Sequence, residues 1–87
     1  MFAYILRAKG PPSDREAEFF RRFKETPGLL HAYDLQGEDN PNDRLAIAIW
    51  ESRDAAERYL KSSPLRREVD QAVSGVTRTL YEVLDSK

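Results

Sequence analysis

The sequence predicts an α+β fold in which the elements follow the order βαββαβ. Two observations carry this. Four short segments are rich in β-branched and aromatic residues and are bounded by Gly, Pro, Asn or Asp. Between the first and second of them, and again between the third and fourth, apolar residues recur at helical spacing.

The first strand is predicted over Phe2–Ala8, "FAYILRA", and stops at Gly-Pro-Pro. Ser13, with Glu16 three residues on, makes a capping box for a helix over Asp14–Glu25. Ala17, Phe19, Phe20 and Phe23 form its apolar stripe. Pro27 and Gly28 suit the two central positions of a type II turn. "LLHAYDLQ" is the second strand, "GEDNPND" a hairpin loop and "RLAIAIW" the third strand. Ser52 caps a second helix whose first turn holds Asp54, and Ala55, Ala56, Tyr59 and Leu60 mark its buried side. Ser-Ser-Pro breaks that helix. Pro64 restarts it, with Leu65, Val69, Ala72 and Val73 inward and Gly75 as the C′ residue. "VTRTLYEVL" is the last strand. The order is the split βαβ, ferredoxin-like arrangement, with a four-stranded antiparallel sheet in the order 4-1-3-2 and the helices on one face.

Eighty-seven residues are expected to form a single domain over 1–87. A chain of this size buries only about 60–65% of its unfolded surface and gains from a partner. With no cysteine, disulfides and thiolate metal sites are excluded. Lys and Arg number 14 against 15 Asp and Glu, a net of −1, which speaks against nucleic acid and anionic membranes as partners. No apolar run approaches the roughly 20 residues of a membrane span, and the N-terminus lacks the basic start of a signal peptide. The cytoplasm is the expected location.

The two central strands are apolar on both sides. Phe2, Tyr4 and Leu6 alternate with Ala3, Ile5 and Arg7, and Leu45, Ile47 and Ile49 with Ala46, Ala48 and Trp50. Helices cover one face only, so the other needs a partner, and a second copy of the chain is the simplest one. The small residues Ala46 and Ala48 are assigned to the helix side. The expected homodimer face is Phe2, Tyr4, Leu6, Leu45, Ile47 and Ile49.

Five side chains are candidates for chemistry. Trp50, at the end of the third strand on the helix side, either closes the core or walls a pocket and stacks on a flat ligand. His31 is the sole histidine and belongs to the side chain type that titrates near neutrality, which suits a general base or a haem ligand; the alternative is a surface residue of the second strand. Arg7, expected on the helix side, either orients an anionic substrate or reaches water beside helix carboxylates. Phe23 and Tyr59 are core or substrate-contacting. The Arg pairs 21–22 and 66–67, interleaved with Glu, read as solvated helix surface. No set of residues has metal-ligand spacing, and nucleotide, P-loop and zinc-protease motifs are absent from the sequence.

"TPGLLHAYDLQ", the polar hairpin and "LAIAIWESRDAAERYLKSSPLRREV" together resemble the antibiotic biosynthesis monooxygenase family over nearly the whole chain. The resemblance implies a dimeric α+β barrel, in which two sheets face each other, and a pocket between sheet and helices in each subunit. It implies, for some members, oxidation of a quinol-like or aromatic substrate by O₂ with no cofactor. Here Trp50 and His31 would be catalytic, and Arg7, Phe23 and Tyr59 would bind substrate. A non-catalytic small-ligand or stress-response barrel is the alternative, and a haem-binding protein a third. The haem-degrading branch is similar in its Trp at the place of Trp50, but its helix His falls at Val69 and its first-strand Asn has no counterpart beside Arg7.

Overall fold

The computed structural model describes residues 1–73 and 75–87. Its elements are β1 (Phe2–Lys9), α1 (Asp14–Phe23), β2 (Leu29–Gln36), β3 (Asp43–Trp50), α2 (Arg53–Ser62), α3 (Pro64–Ala72) and β4 (Thr77–Glu82). The sheet is antiparallel in the order β2-β3-β1-β4, which is the predicted ferredoxin-like topology read from the opposite edge. The second helix is in two pieces, α2 and α3, as the Ser-Ser-Pro break requires.

Local chemistry accounts for the ends. Ser13 Oγ accepts the Glu16 N–H at 3.2 Å and Ser52 Oγ accepts that of Ala55 at 3.1 Å, so both predicted N-caps form. The capping box at Ser13 is one-sided, because the Glu16 carboxylate reaches across to Arg44 on β3 instead. α1 stops at Phe23, short of the expected Glu25, because the amides of Glu25 and Thr26 bond three residues back and tighten the last turn. The Pro27–Gly28 turn is closed by the Leu29 N–H on the Thr26 carbonyl at 3.3 Å, with Gly28 at φ +84°, the geometry of a type II turn.

Three sequence expectations are corrected at this level. α3 ends at Ala72 and its cap Val73 is extended, so Gly75 lies beyond the C′ position. Ala17 and Ala72 are exposed, and Glu16 heads the inward side of α1 in place of Ala17. The last strand stops at Glu82, leaving Leu84 89% exposed beyond it.

The register corrects the face assignment of β1. Residues directly opposed in a sheet share a face. Tyr4 opposes Ala48, Leu6 opposes Ala46 and Phe2 opposes Trp50. Since Ala48 and Trp50 lie in the core beneath the helices, Phe2, Tyr4 and Leu6 lie there too. They are not part of the open face. That face carries Ala3, Ile5 and Arg7 of β1, with Leu45, Ile47 and Ile49 of β3 as expected. The physical reason is size. Ala46 and Ala48 leave room above β3, and the larger side chains of β1 fill it rather than turning away.

The core is Tyr4, Phe19, Phe23, Ala48, Trp50, Ala55, Ala56, Tyr59 and Leu65. It lies between the sheet and the three helices. Ala55 and Ala56 bring α2 close over the end of β3.

Candidate functional site

A cavity of about 90 Å³ lies between the helix face of the sheet and helices α1 and α3. Alternate residues of β1 (Tyr4, Leu6, Ala8) and β3 (Arg44, Ala46, Ala48) form its floor, because only every second residue points to this side. Phe19 and Phe20 roof it from α1, with Phe23 one turn further on. Val69 of α3 and Val73 after it close the flank, and Tyr59 of α2 meets the inner end.

The inner end is aromatic. The Phe23 and Tyr59 rings are 5.0 Å apart edge to face, and Tyr4 meets Tyr59 at 6.1 Å in the same way. Burial pushes the Tyr4 phenol well above the ordinary tyrosine range and raises that of Tyr59 as well, and the nearby positive charge of Arg78 only partly offsets this. Both hydroxyls therefore stay protonated at neutral pH. The Tyr4 hydroxyl is buried without a hydrogen-bond partner among the described residues.

The outer end is polar. Arg44, at the start of β3, is only 8% exposed and donates from Nη2 to the Glu16 carboxylate of α1. Its Nε is buried and unpartnered among the described residues. Asp34, one row along on β2, also borders the space. An apolar slot thus opens toward one guanidinium and two carboxylates, an arrangement able to hold a ring inside while charging or discharging an oxygen at its edge.

A scan against protein-family models and a search of curated proteins match nothing. Solved structures do match. SnoaB, a cofactor-independent oxygenase from Streptomyces nogalater, aligns at 24% identity over 98% of this chain and 94% of its own, with a TM-score of 0.79. An antibiotic biosynthesis monooxygenase aligns at 15% identity over 98% and 100% of the two chains, with a TM-score of 0.75. This chain has the fold of the antibiotic biosynthesis monooxygenases. A mutant of MhuD with two manganese protoporphyrin IX molecules bound per active site shares that fold, at 16% identity over 100% and 98% of the chains and a TM-score of 0.66.

On this monooxygenase fold, the structure separates the sequence candidates. Phe23 and Tyr59 line the cavity. Trp50 is 1% exposed and packs behind them, with ring centroids 5.8 Å from Phe23 and 5.7 Å from Tyr59; it backs the wall rather than facing the space. Arg7 lies on the opposite, open face, correcting its expected helix-side position, and its guanidinium stands 3.9 Å from the exposed Asp43 carboxylate. His31 lies on the open face as well, opposite Ile49 and stacked on Tyr33 at 6.5 Å. Alternation along β2 would put Leu29 on the same face, but a register shift between Leu29 and His31 leaves Leu29 opposite Trp50.

Sequence reasoning missed Arg44, Glu16, Asp34 and Tyr4. The signal for Arg44 was available: it is two residues before Ala46 in the alternation that was assigned to the helix side. A charged residue at a core-facing position asks for a partner, and Glu16, in the first turn of α1, answers it.

Proposed function

We propose that this chain is a cofactor-independent monooxygenase that holds a small aromatic or quinol-like substrate in the cavity between sheet and helices. One observation supports this above the others. The space is walled by aromatic rings and ends at the buried Arg44 paired with Glu16, on a fold shared with an oxygenase that uses no cofactor.

At about 90 Å³ the cavity is smaller than the roughly 150 Å³ that admits benzene in an engineered core. It takes one ring when its mouth widens, and the rest of a larger substrate stands at the polar end. There Glu16 or Asp34 removes a proton from the substrate and Arg44 stabilises the resulting oxyanion. The anion delivers electrons to O₂. At an activated CH₂ the balance is CH₂ plus O₂ giving C=O plus H₂O, with the substrate supplying all the reducing equivalents. Phe19, Phe23 and Tyr59 exclude water from the anion, and Tyr4 offers a neutral O–H donor. This reading gives the oxyanion role to Arg44 instead of Arg7 and the base to a carboxylate instead of His31. Trp50 acts by holding Phe23 and Tyr59 in place.

The experiment is oxygen uptake with a panel of quinols and anthrones. Turnover that falls at least tenfold in Arg44→Met, with the fold retained by circular dichroism, supports the reading. Tight binding of the same compounds with no oxygen consumption would establish the non-catalytic ligand-binding barrel instead. A haem-binding role has less support: a porphyrin far exceeds the cavity, and the sole histidine is on the other face.

We propose further that two copies pair through the open sheet face. Ala3, Ile5, Leu45, Ile47 and Ile49 form an apolar band there, flanked by Tyr33 and Tyr81, each 51% exposed. An antiparallel sheet with a wetted face carries polar residues at such positions.

A further inference from the structure

A second polar cluster lies between β4 and α3, beside Tyr4 and just outside the residues that line the cavity. Arg78 of β4 opposes Leu6, and Leu80 opposes Tyr4, so Arg78 is the diagonal neighbour of Tyr4 on the helix face. The Arg78 side chain is only 15% exposed. Its Nη1 is ion-paired with Asp70 Oδ1 on α3. The other oxygen of Asp70 faces Arg66 Nε at 3.4 Å. Asp70 is thereby shared between two guanidiniums, and the cluster keeps an excess of one positive charge. Glu82, four positions along the same face of β4, is exposed.

What remains free is specific. Arg78 Nε and Nη2 are both buried and, among the described residues, neither has a hydrogen-bond acceptor. These two N–H groups form one planar edge of the guanidinium, the edge that takes the two oxygens of a carboxylate in parallel bonds. The Tyr4 hydroxyl beside it is likewise unpartnered, and Tyr4 lines the cavity. The Tyr4 oxygen is close enough to Arg78 to feel its guanidinium but makes no well-formed hydrogen bond with it, so two buried N–H donors carrying surplus positive charge are left poorly satisfied, which is an expensive arrangement unless something supplies an acceptor.

We propose that Arg78 and Tyr4 form a carboxylate-binding subsite, so that the cavity's ligand is an aromatic acid whose ring lies against Phe23 and Tyr59. The inference rests on the cavity being the ligand site. A single phenolate oxygen satisfies only one N–H of the edge, whereas a carboxylate satisfies both. α3 covers the subsite through Asp70, with Val69 and Val73 at the cavity side.

The test is equilibrium binding of benzoate and of its neutral isostere benzamide by calorimetry. Wild type is expected to bind benzoate at least tenfold more tightly. Arg78→Met removes the edge and brings the two affinities together. Arg78→Lys keeps charge without the planar edge and recovers only part of the preference. Asp70→Asn removes the competing carboxylate and tightens benzoate several-fold while leaving benzamide unchanged, which keeps the test open if Arg78→Met does not fold. Equal affinities in wild type overturn the subsite alone and leave the cavity reading intact. Failure of both compounds to bind overturns the subsite and also tells against the cavity, a result that oxygen uptake with quinols then judges separately.

Discussion

Tyr4 concentrates the conflict between stability and binding in one side chain. It is 4% exposed, its ring packs edge to face on Tyr59, and its hydroxyl has no partner among the described residues. A buried unpartnered hydroxyl costs about 1–3 kcal/mol. Tyr4→Phe keeps the ring and removes the cost, so it is expected to raise stability in the ligand-free protein by about 1 kcal/mol, seen as a higher melting temperature at pH 7. The pH dependence has a defined sign. The folded pKa is raised, so this group's contribution is fully present below about 10, where the unfolded tyrosine ionises, and is lost as pH climbs toward the folded value. The melting-temperature gain of Tyr4→Phe should therefore widen above about pH 10. An unchanged gap from pH 8 to 11 would show that the phenol is solvated after all. Arg44 is different: it is buried but paired, so cutting it to Met strands the Glu16 carboxylate and is expected to lower stability as well as any turnover.

Among the elements, the turns and caps were the most legible parts of the sequence. Ser13, Ser52, Pro64 and the Pro27–Gly28 pair each act at the position their chemistry dictates. Gly28 carries two constraints at once, φ +84° and a virtual Cβ 2.5 Å from Ala55 Cβ. Gly28→Ala must therefore both strain the turn and push α2 off the sheet. A loss of more than about 1 kcal/mol in denaturant unfolding is expected. What the sequence hid was the pairing between elements. The period of two sorts β1 into two sets but does not say which set faces the helices; the register does, and it depends on Tyr4 meeting Ala48. Arg7 and Phe2 were misplaced together for this reason. Arg22 is a related case. It lies on the solvated helix surface, as expected, and from there joins Glu68 on α3 at 2.7 Å, an exposed pair the sequence does not reveal. This hydrogen bond to Arg22 is the main cause holding the Glu68 carboxyl below its usual range. A depressed carboxylate contributes above its unfolded pKa and ceases to do so as pH falls through its folded one. The melting-temperature deficit of Arg22→Ala at pH 7 should thus shrink and disappear as pH falls through and below the ordinary carboxylate range.

For the whole molecule the deciding quantity is the open sheet face. In the single chain Ile47 sits at its centre, opposite Ile5 on β1 and Tyr33 on β2. Covering each large apolar side chain completely is worth about 1.5–3 kcal/mol, and a band of five or six of them repeated on two copies outweighs the entropy of association. If two copies pair as proposed, the polar residues beside this band, Arg7, Asp43 and His31, are expected to set register and orientation rather than affinity. Ile47→Glu tests this without touching the cavity, since Ile47 points away from it. On an isolated sheet face a glutamate is solvated, so the chain should still fold and keep its far-ultraviolet circular dichroism. Near a two-fold axis two such charges would be buried close together, so pairing should fail. Sedimentation is expected to give a dimer for wild type and a monomer for Ile47→Glu at tens of micromolar. A wild type that sediments as a monomer, or a variant that still dimerises, would remove this face as the pairing surface. Because β1 contributes alternate residues to the cavity floor and to the open face, a variant that loses dimerisation and also loses substrate binding would show that pairing holds Tyr4 and Leu6 in place.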